Sequence, residues 1–275
     1  MEDVGLNEYC LRWKLSEPVL LASTFTSKVH RVNLNGHNVV LKIFNEKGRQ
    51  FELGGATVLR CFDGNGAVRL LNADEGAHLL EYVDGKPLKD LVGCGDDDEA
   101  TEIVCNVVNK LHSYDGPIPP GLISMERNFR SLLYKVQTEP KDSIYVDGAR
   151  LAKRLIESEQ EVCVLHGDIH HENILESSER GWLAIDPQCL AGERTYDIAN
   201  AFYNPNGFLS VVGSTETIER RCAIYAKRLY LDRRRVLEFA FAYGCLSAAW
   251  CIEDGQSAES TLQIARNIQC VLADL

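Results

Sequence analysis

Between residues 164 and 187 the chain reads V-L-H-G-D-I-H-H-E-N-I-L-E-S-S-E-R-G-W-L-A-I-D-P. Apolar runs at 162–165 and 182–185 have the length and composition of short strands. They frame three oxygen-bearing side chains, Asp168, Asn173 and Asp186. Asp168 follows a glycine, so the backbone can turn sharply there and present the carboxylate. Asn173 lies one short loop further on, and Asp186 ends the second run. The fold must therefore bring a strand, a tight loop and a second strand end to one place.

That set suits phosphoryl transfer. One carboxylate orients an attacking hydroxyl and takes its proton, while a second carboxylate and an amide oxygen hold Mg2+ against nucleotide phosphates. Asp after Gly is also ordinary turn chemistry, so the ordered combination carries the inference rather than Asp168 alone. His166 and His170 admit a metal-site reading. The H-E-x-x-H pattern and a Cys partner are both missing from the segment, and His166, His170 and His171 read better as hydrogen-bond donors that brace the loop.

With 275 residues and 45% hydrophobic content, the chain can bury a sizeable core in one large domain or two lobes. Its net charge of −11 argues against nucleic acid or an anionic membrane as partner and is compatible with a cationic small molecule. The ten cysteines are scattered without a C-x-x-C, often among apolar neighbours, as in I-V-C-N-V-V around Cys105. Free thiols in a reducing cytoplasm are expected. The first ten residues lack a basic region followed by an apolar core, so no leader is expected, and no apolar run looks long enough to span a bilayer.

Residues 1–18 are mixed, with Trp13 and Leu15 able to dock on the first lobe. Strands are expected at 18–22, 29–34, 39–44, 67–71 and 77–83, with Asn35-Gly36 as a hairpin turn. Residues 46–62 read as one helix, weakened by Gly54 and Gly55. Lys42 sits inside the apolar strand V-V-L-K-I-F. Such a Lys either snorkels at an edge or, with the segment at 164–187 downstream, contacts nucleotide phosphates and pairs with a helix Glu. Glu52 is the candidate partner; its other reading is a solvated carboxylate. The polar tip S-T-F-T-S would cover the phosphates with hydroxyls and N–H groups of Ser23, Thr24, Thr26 and Ser27, since no Gly-rich loop is present. Glu81, Tyr82 and Val83 end the last strand as a hinge whose backbone would meet the base. The first lobe spans 1–82, a small antiparallel sheet with one helix, and a mainly helical second lobe spans 83–275: an α+β, two-lobed fold.

In the second lobe an acidic run at 95–99 opens a helix that continues to about residue 113. Further helices are expected at 129–136, 145–156, 209–229, 235–251 and 261–272. Asp197 either caps a helix or braces the Asp168 loop from behind.

The H-G-D-x-H-x-x-N element followed by I-D-P is similar to the catalytic segment of protein kinases and, in this form, to that of small-molecule kinases of the aminoglycoside phosphotransferase type. With G-W-L-A-I-D-P at 181–187, G-A-V-R-L-L at 66–71, L-L-E-Y at 79–82 and A-Y-G-C-L-S-A-A-W at 242–250, the chain resembles the streptomycin 6-phosphotransferase and hydroxyurea phosphotransferase family over most of its length. The resemblance implies a protein-kinase-like fold using ATP (or GTP) and Mg2+. It implies Asp168 as catalytic base, Asn173 and Asp186 as magnesium ligands, and Lys42 with Glu52 as phosphate anchor. It also implies acidic residues near a cationic acceptor: Glu193, Glu253 and Asp254 are candidates, or else solvated surface charges, and Glu172 is a further one. Where family members often have a glycine soon after I-D-P, this chain has Q-C-L-A-G-E. The expected enzyme is a cytoplasmic streptomycin 6-kinase, monomer or homodimer; the alternatives are a housekeeping kinase for an amino alcohol, sugar derivative or hydroxyurea, and a non-catalytic nucleotide-binding protein. Retention of Lys42, Asp168, Asn173 and Asp186 counts against the last, and the lack of an A-P-E-like segment after Asp186 counts against a protein substrate.

Overall fold

The computed structural model describes residues 4–51 and 54–275. Helix α1 (Val4–Trp13) leads into a five-stranded antiparallel sheet of order β1-β2-β3-β5-β4, formed by β1 (Ser16–Ser23), β2 (Ser27–Leu34), β3 (His37–Phe44), β4 (Leu70–Ala73) and β5 (Ala77–Glu81). Asn35 and Gly36 both take positive φ, 53° and 91°, as a two-residue hairpin turn demands, and Leu34 pairs with His37. The inner face buries Val32, Val39, Leu41, Ala77 and Leu79 against Tyr9 and Leu15, with Trp13 packed at the margin. Both docking residues expected from the N-terminal segment are therefore in place.

The helix expected over 46–62 is two helices, α2 (Glu46–Phe51) and α3 (Gly55–Phe62). The glycines expected to weaken the helix stand at the start of α3, where the chain runs hard against the segment after Asp186. A Cβ on Gly54 would fall 2.0 Å from Cys189 Sγ, and one on Gly55 would fall 2.8 Å from Pro187 O. Glu52 lies outside the described residues. Val58, Leu59 and Phe62 of α3 join the core of the helical lobe rather than that of the sheet. The strand expected at 67–71 begins only at Leu70, because the Val68 N–H is committed to Ala184 O at 3.0 Å.

Beyond the sheet come α4 (Lys89–Cys94), α5 (Asp97–Leu111), α6 (Met125–Asn128), α7 (Arg130–Lys135) and α8 (Ile144–Glu157), then the antiparallel pairs described below, and α9 (Leu209–Val212), α10 (Thr215–Leu229), α11 (Arg233–Glu253) and α12 (Glu259–Ala273). The expected helix at 209–229 is split at Gly213-Ser214, where Ser214 caps α10 by accepting from Thr217 N. Helix α11 is the axis of the lobe, packed by α7, α8, α10 and α12. It also corrects the expectation that no run could span a bilayer. Its 21 residues reach that length, with mean hydropathy 1.3, and 72% of the apolar window is buried within the fold. A helix surrounded on all sides has no reason to keep a polar face. Between α5 and α10, Arg221 is 1% exposed and forks onto Asp97 and the carbonyls of Ala201 and Asn204.

Candidate active site

Two short antiparallel pairs, one of them a hairpin, position the site. Strand β6 (Val162–Leu165) pairs with β9 (Leu190–Glu193), and β7 (Ile174–Ser177) pairs with β8 (Gly181–Ala184). The loop at 166–173 joins β6 to β7, and Asp186 follows β8. Gly167 has φ +80° and lies where a Cβ would come within 2.5 Å of Leu190 Cδ1. Both conformation and space therefore require glycine before Asp168.

The loop is fixed from behind. Asp197 Oδ1 accepts from Gly167 N at 2.6 Å, its Oδ2 accepts from His166 N at 3.1 Å, and His112 Nε2 reaches the same Oδ2 at 2.7 Å. Burial alone would raise the Asp197 carboxyl. The His112 hydrogen bond and charge, with the loop N–H, outweigh it and hold the group below the usual carboxylate value. Of the two sequence readings of Asp197, the brace is the one the structure displays. His166 is fully buried; its Nε2–H donates to Ile185 O at 2.9 Å, and burial pulls its pKa down to about 4, so it is neutral. His170 also bonds, through Nδ1 to Glu172 Oε2 at 3.0 Å. His171 departs from the expected bracing role: it is buried, and neither ring nitrogen has a partner. Burial and the nearby Arg221 charge keep it neutral.

Asp168 receives two amide donors, Asn200 Nδ2 on Oδ1 at 2.8 Å and Asn173 Nδ2 on Oδ2 at 3.0 Å. Burial, with a smaller contribution from the Asp186 charge, lifts its pKa to about 6, against the opposing pull of His170, Asn173 and Asn200. Asn200 is itself held by Asn204, whose Nδ2 donates to Asn200 Oδ1 at 2.8 Å, and Arg221 holds Asn204 O at 2.9 Å. Sequence reasoning missed this chain of contacts; the N-x-x-x-N spacing of Asn200 and Asn204 was its only local trace.

Asn173 spends its amide nitrogen on Asp168, which leaves Oδ1 as a bare acceptor. Its carbonyl accepts from Ile185 N at 2.9 Å, tying the loop to the strand that delivers Asp186. Asp186 stands at φ +61°, a left-handed conformation uncommon for a non-glycine residue. Its Oδ1 pairs with the Lys42 ammonium. Lys42 is held on β3 between Val29 and His78, and burial first, the Lys42 charge second, pull His78 down to about 4. Among the described residues, no cluster of three or more His, Cys, Asp or Glu side chains is arranged to hold a metal ion. One carboxylate and one amide oxygen are the hard donors on offer.

Lys42 and Asp186 close the inner end of a cleft of about 170 Å³ between sheet and helical lobe. Leu21, Val29 and Val40 form its roof, Leu175 and Ile185 its floor, and Glu81, Tyr82 and Val83 its outer wall. The polar tip is arranged differently from the sequence expectation. Thr24 Oγ1 accepts from Ser27 N at 2.9 Å and meets the hydroxyls of Ser27 and Thr26, and Ser27 is 3% exposed. Ser23, Thr24 and Ser27 line a separate depression with Tyr9 and Arg49. The hydroxyls of Thr24, Thr26 and Ser27 are used to close the turn on itself.

The acidic candidates separate. Glu172 is next to the site through His170. Glu193 is 2% exposed, bonded to Arg235, Thr195 Oγ1 and Gln160 N, and lies opposite Val162, at the far end of β6 from the loop. It is a structural ion pair and offers nothing to a ligand. Glu253 is exposed at the end of α11, where it accepts from Ser131 Oγ at 3.0 Å, and Asp254 caps the same helix.

Residues 12–255 match the family described as aminoglycoside/hydroxyurea antibiotic resistance kinase. The chain is 36% identical to a streptomycin 3''-kinase of Klebsiella pneumoniae, over 89% of this chain and 91% of that one. It is 31% identical to a streptomycin 6-kinase of Streptomyces griseus, over 92% and 84%. Among solved structures it superposes on aminoglycoside phosphotransferase APH(4)-Ia, in ternary complex with AMP-PNP and hygromycin B, with TM-score 0.65, 14% identity and 98% of each chain covered.

Proposed function

The chain belongs to the aminoglycoside/hydroxyurea antibiotic resistance kinase family, and from that membership and the geometry of the cleft we propose that it transfers the γ-phosphate of ATP to a hydroxyl of streptomycin. The observation that carries the reading is the Lys42–Asp186 pair at the inner end of the cleft, with Asp168 and Asn173 bonded to each other on the loop whose Asn173 carbonyl is tied to Ile185 beside Asp186. The nucleotide-binding lobe is taken as 1–82 and the catalytic and acceptor lobe as 83–275.

Asn173 Oδ1 and the Asp186 carboxylate fit Mg2+, a hard cation that completes its shell with water and phosphate oxygens. When bound, that ion would neutralise charge on the transferring phosphoryl group. The protein's own residues do the rest. The base lies between the apolar roof and floor against the backbone of 81–83, and Lys42 holds phosphate oxygens. Asp168, oriented by Asn173 and Asn200, accepts the acceptor's hydroxyl proton on its carboxylate. A carboxylate lifted toward 6 is a better base at neutral pH than an ordinary one and remains mostly ionised. Streptomycin carries guanidinium groups, and Glu172 beside Asp168, with Glu253 at the end of α11, supplies acidic contacts.

The 6-hydroxyl is the position that the sequence resemblance favours. A second reading, the 3''-hydroxyl, has in its support the higher identity to the Klebsiella pneumoniae relative. Purified protein incubated with ATP, Mg2+ and a panel of streptomycin, hygromycin B, choline and hydroxyurea tests the proposal. Streptomycin-dependent ADP release is expected, with one phosphate added and its position fixed by phosphorus–proton correlation. Release with choline or hydroxyurea alone would overturn the acceptor, and GTP run alongside ATP settles the donor.

A further inference from the structure

Hairpin β7–β8 begins directly after Asn173 and ends two residues before Asp186. It is widened on both sides, by the first lobe along β8 and by the segment after residue 83 along β7. Ala184 N donates to Gly66 O at 2.8 Å and Val68 N to Ala184 O at 3.0 Å, so the connection ahead of β4 runs along β8. Glu176 N donates to Lys86 O at 3.0 Å and Leu88 N to Ile174 O at 2.8 Å, so the segment after the hinge runs along β7. The approach is close: a Cβ on Gly85 would fall 1.8 Å from Glu176 O. The hairpin turn adds a side-chain latch. Ser178 Oγ donates to Asp84 Oδ2 at 2.9 Å, and Arg180 bonds the Glu81 carboxylate with one arm and Gly64 O with the other. Glu81 Oε2 also accepts from Arg69 N at 2.9 Å. The Arg180 and Glu81 side chains are only 20% and 19% exposed.

We propose that Arg180 is a positioning residue for the nucleotide: its guanidinium anchors residues 81–83 over Leu175 and Ile185 and so sets the height of the slot that receives the base. The inference rests on the reading of the cleft as a nucleotide site. Arg180 lies behind the outer wall of that cleft and acts through Glu81. A planar fork can satisfy a carboxylate and a carbonyl at once, which a lysine ammonium does less well. The phosphate end of the cleft is set independently by Lys42 and Asp186. Loss of the latch therefore falls on the base and spares the phosphates, a split that general loosening of the fold would not produce.

Adenosine and inorganic tripolyphosphate, titrated as competitors of ATP, separate the two ends. In Arg180→Ala, adenosine affinity is expected to fall about fivefold to twentyfold, a part of the worth of its charge-assisted hydrogen bonds to Glu81 and Gly64 O, because Arg180 acts on the base only through residues 81–83. Tripolyphosphate affinity and kcat at saturating ATP should stay within about twofold. Unchanged adenosine affinity, or parallel loss on both competitors, would overturn the proposal. If Arg180→Ala does not fold, Arg180→Lys carries the same test, with a smaller loss confined to adenosine. Wild-type protein that binds neither competitor would overturn the nucleotide reading itself, and this proposal with it.

Discussion

The Lys42 ammonium pairs with Asp186 Oδ1 across 144 residues of sequence, from the middle of one sheet to the end of a hairpin in the other lobe. Lys42 is 8% exposed and Asp186 54%, so the carboxylate end remains open to water and to ligands. An ion pair so exposed at one end contributes little to stability, about 0–1 kcal/mol. Its use lies in holding both charges where a triphosphate would meet them.

From this, Lys42→Met is expected to unfold within about 3 °C of the wild type, since roughly 1 kcal/mol moves the midpoint of a chain this size by about 2–4 °C. Its kcat/KM for ATP should fall about 100-fold or more, the scale on which single charge-stabilising groups act in phosphoryl transfer. Thermal melts beside steady-state kinetics check both halves. A large loss of stability with kinetics intact would assign Lys42 to the fold alone.

Asp168 gives a pH prediction of definite sign. Its folded pKa is raised to about 6 from an ordinary 3.8. Between those values the folded state holds a proton that the unfolded state has released, so stability falls as pH rises through the interval. Referred to Asp168→Asn, which does not titrate, the wild type should lose about 1–3 kcal/mol between pH 4 and pH 6.5. Urea unfolding of both proteins across that range measures it. The same group makes kcat/KM climb with a midpoint near 6 in the wild type. Stability differences flat with pH would remove the burial that sets the shift.

How much of this was legible in the sequence depends on how local each signal was. Strands β2 and β3 follow from alternation and from Asn35-Gly36, and strand β6 from a plain apolar run. Asp168, Asn173 and Asp186 sit in one stretch with their spacing in view. The weakening at Gly54 and Gly55 was legible, but the close approach of Cys189 and Pro187 to those glycines was not, because it comes from a segment far along the chain. Glu193 read as an acceptor contact or a solvated surface charge because nothing near it announces Arg235, 42 residues away. The internal bonding of the polar tip was hidden for the opposite reason: the hydroxyls of Thr24, Thr26 and Ser27 are close enough to satisfy each other, a local competition that composition does not reveal.

Asn200 is the donor that sequence reasoning overlooked. It gives Asp168 Oδ1 its 2.8 Å hydrogen bond, and Asn204 turns its amide to do so. Asn200→Ala should leave the carboxylate held on one oxygen only, free to rotate away from an incoming hydroxyl. About a 10- to 100-fold fall in kcat is expected, with KM for ATP within about twofold, because misorientation at the reacting centre acts on turnover and not on nucleotide binding. A rise in KM for ATP with kcat unchanged would place Asn200 in ligand binding instead.

Asp197 supports the loop one layer deeper. It is fully buried and receives three donors, from Gly167 N, His166 N and His112. Asp197→Asn keeps the shape but replaces one acceptor oxygen with an amide that itself donates, so one loop N–H or His112 faces a donor in a buried site. A buried group left that way costs about 1–3 kcal/mol. Asp197 is held below its ordinary pKa, so the stability it supplies is present above the unfolded value and is lost as pH falls through the folded one. The penalty of Asp197→Asn should therefore be full at pH 7 and shrink in acid. The displaced loop carries Gly167 and Asp168 together, so turnover should drop with stability, whereas Asn200→Ala lowers turnover alone. Denaturant titrations at pH 7 and pH 4, set beside kcat for both variants, distinguish a loop that is propped from behind from a carboxylate that is aimed from the side.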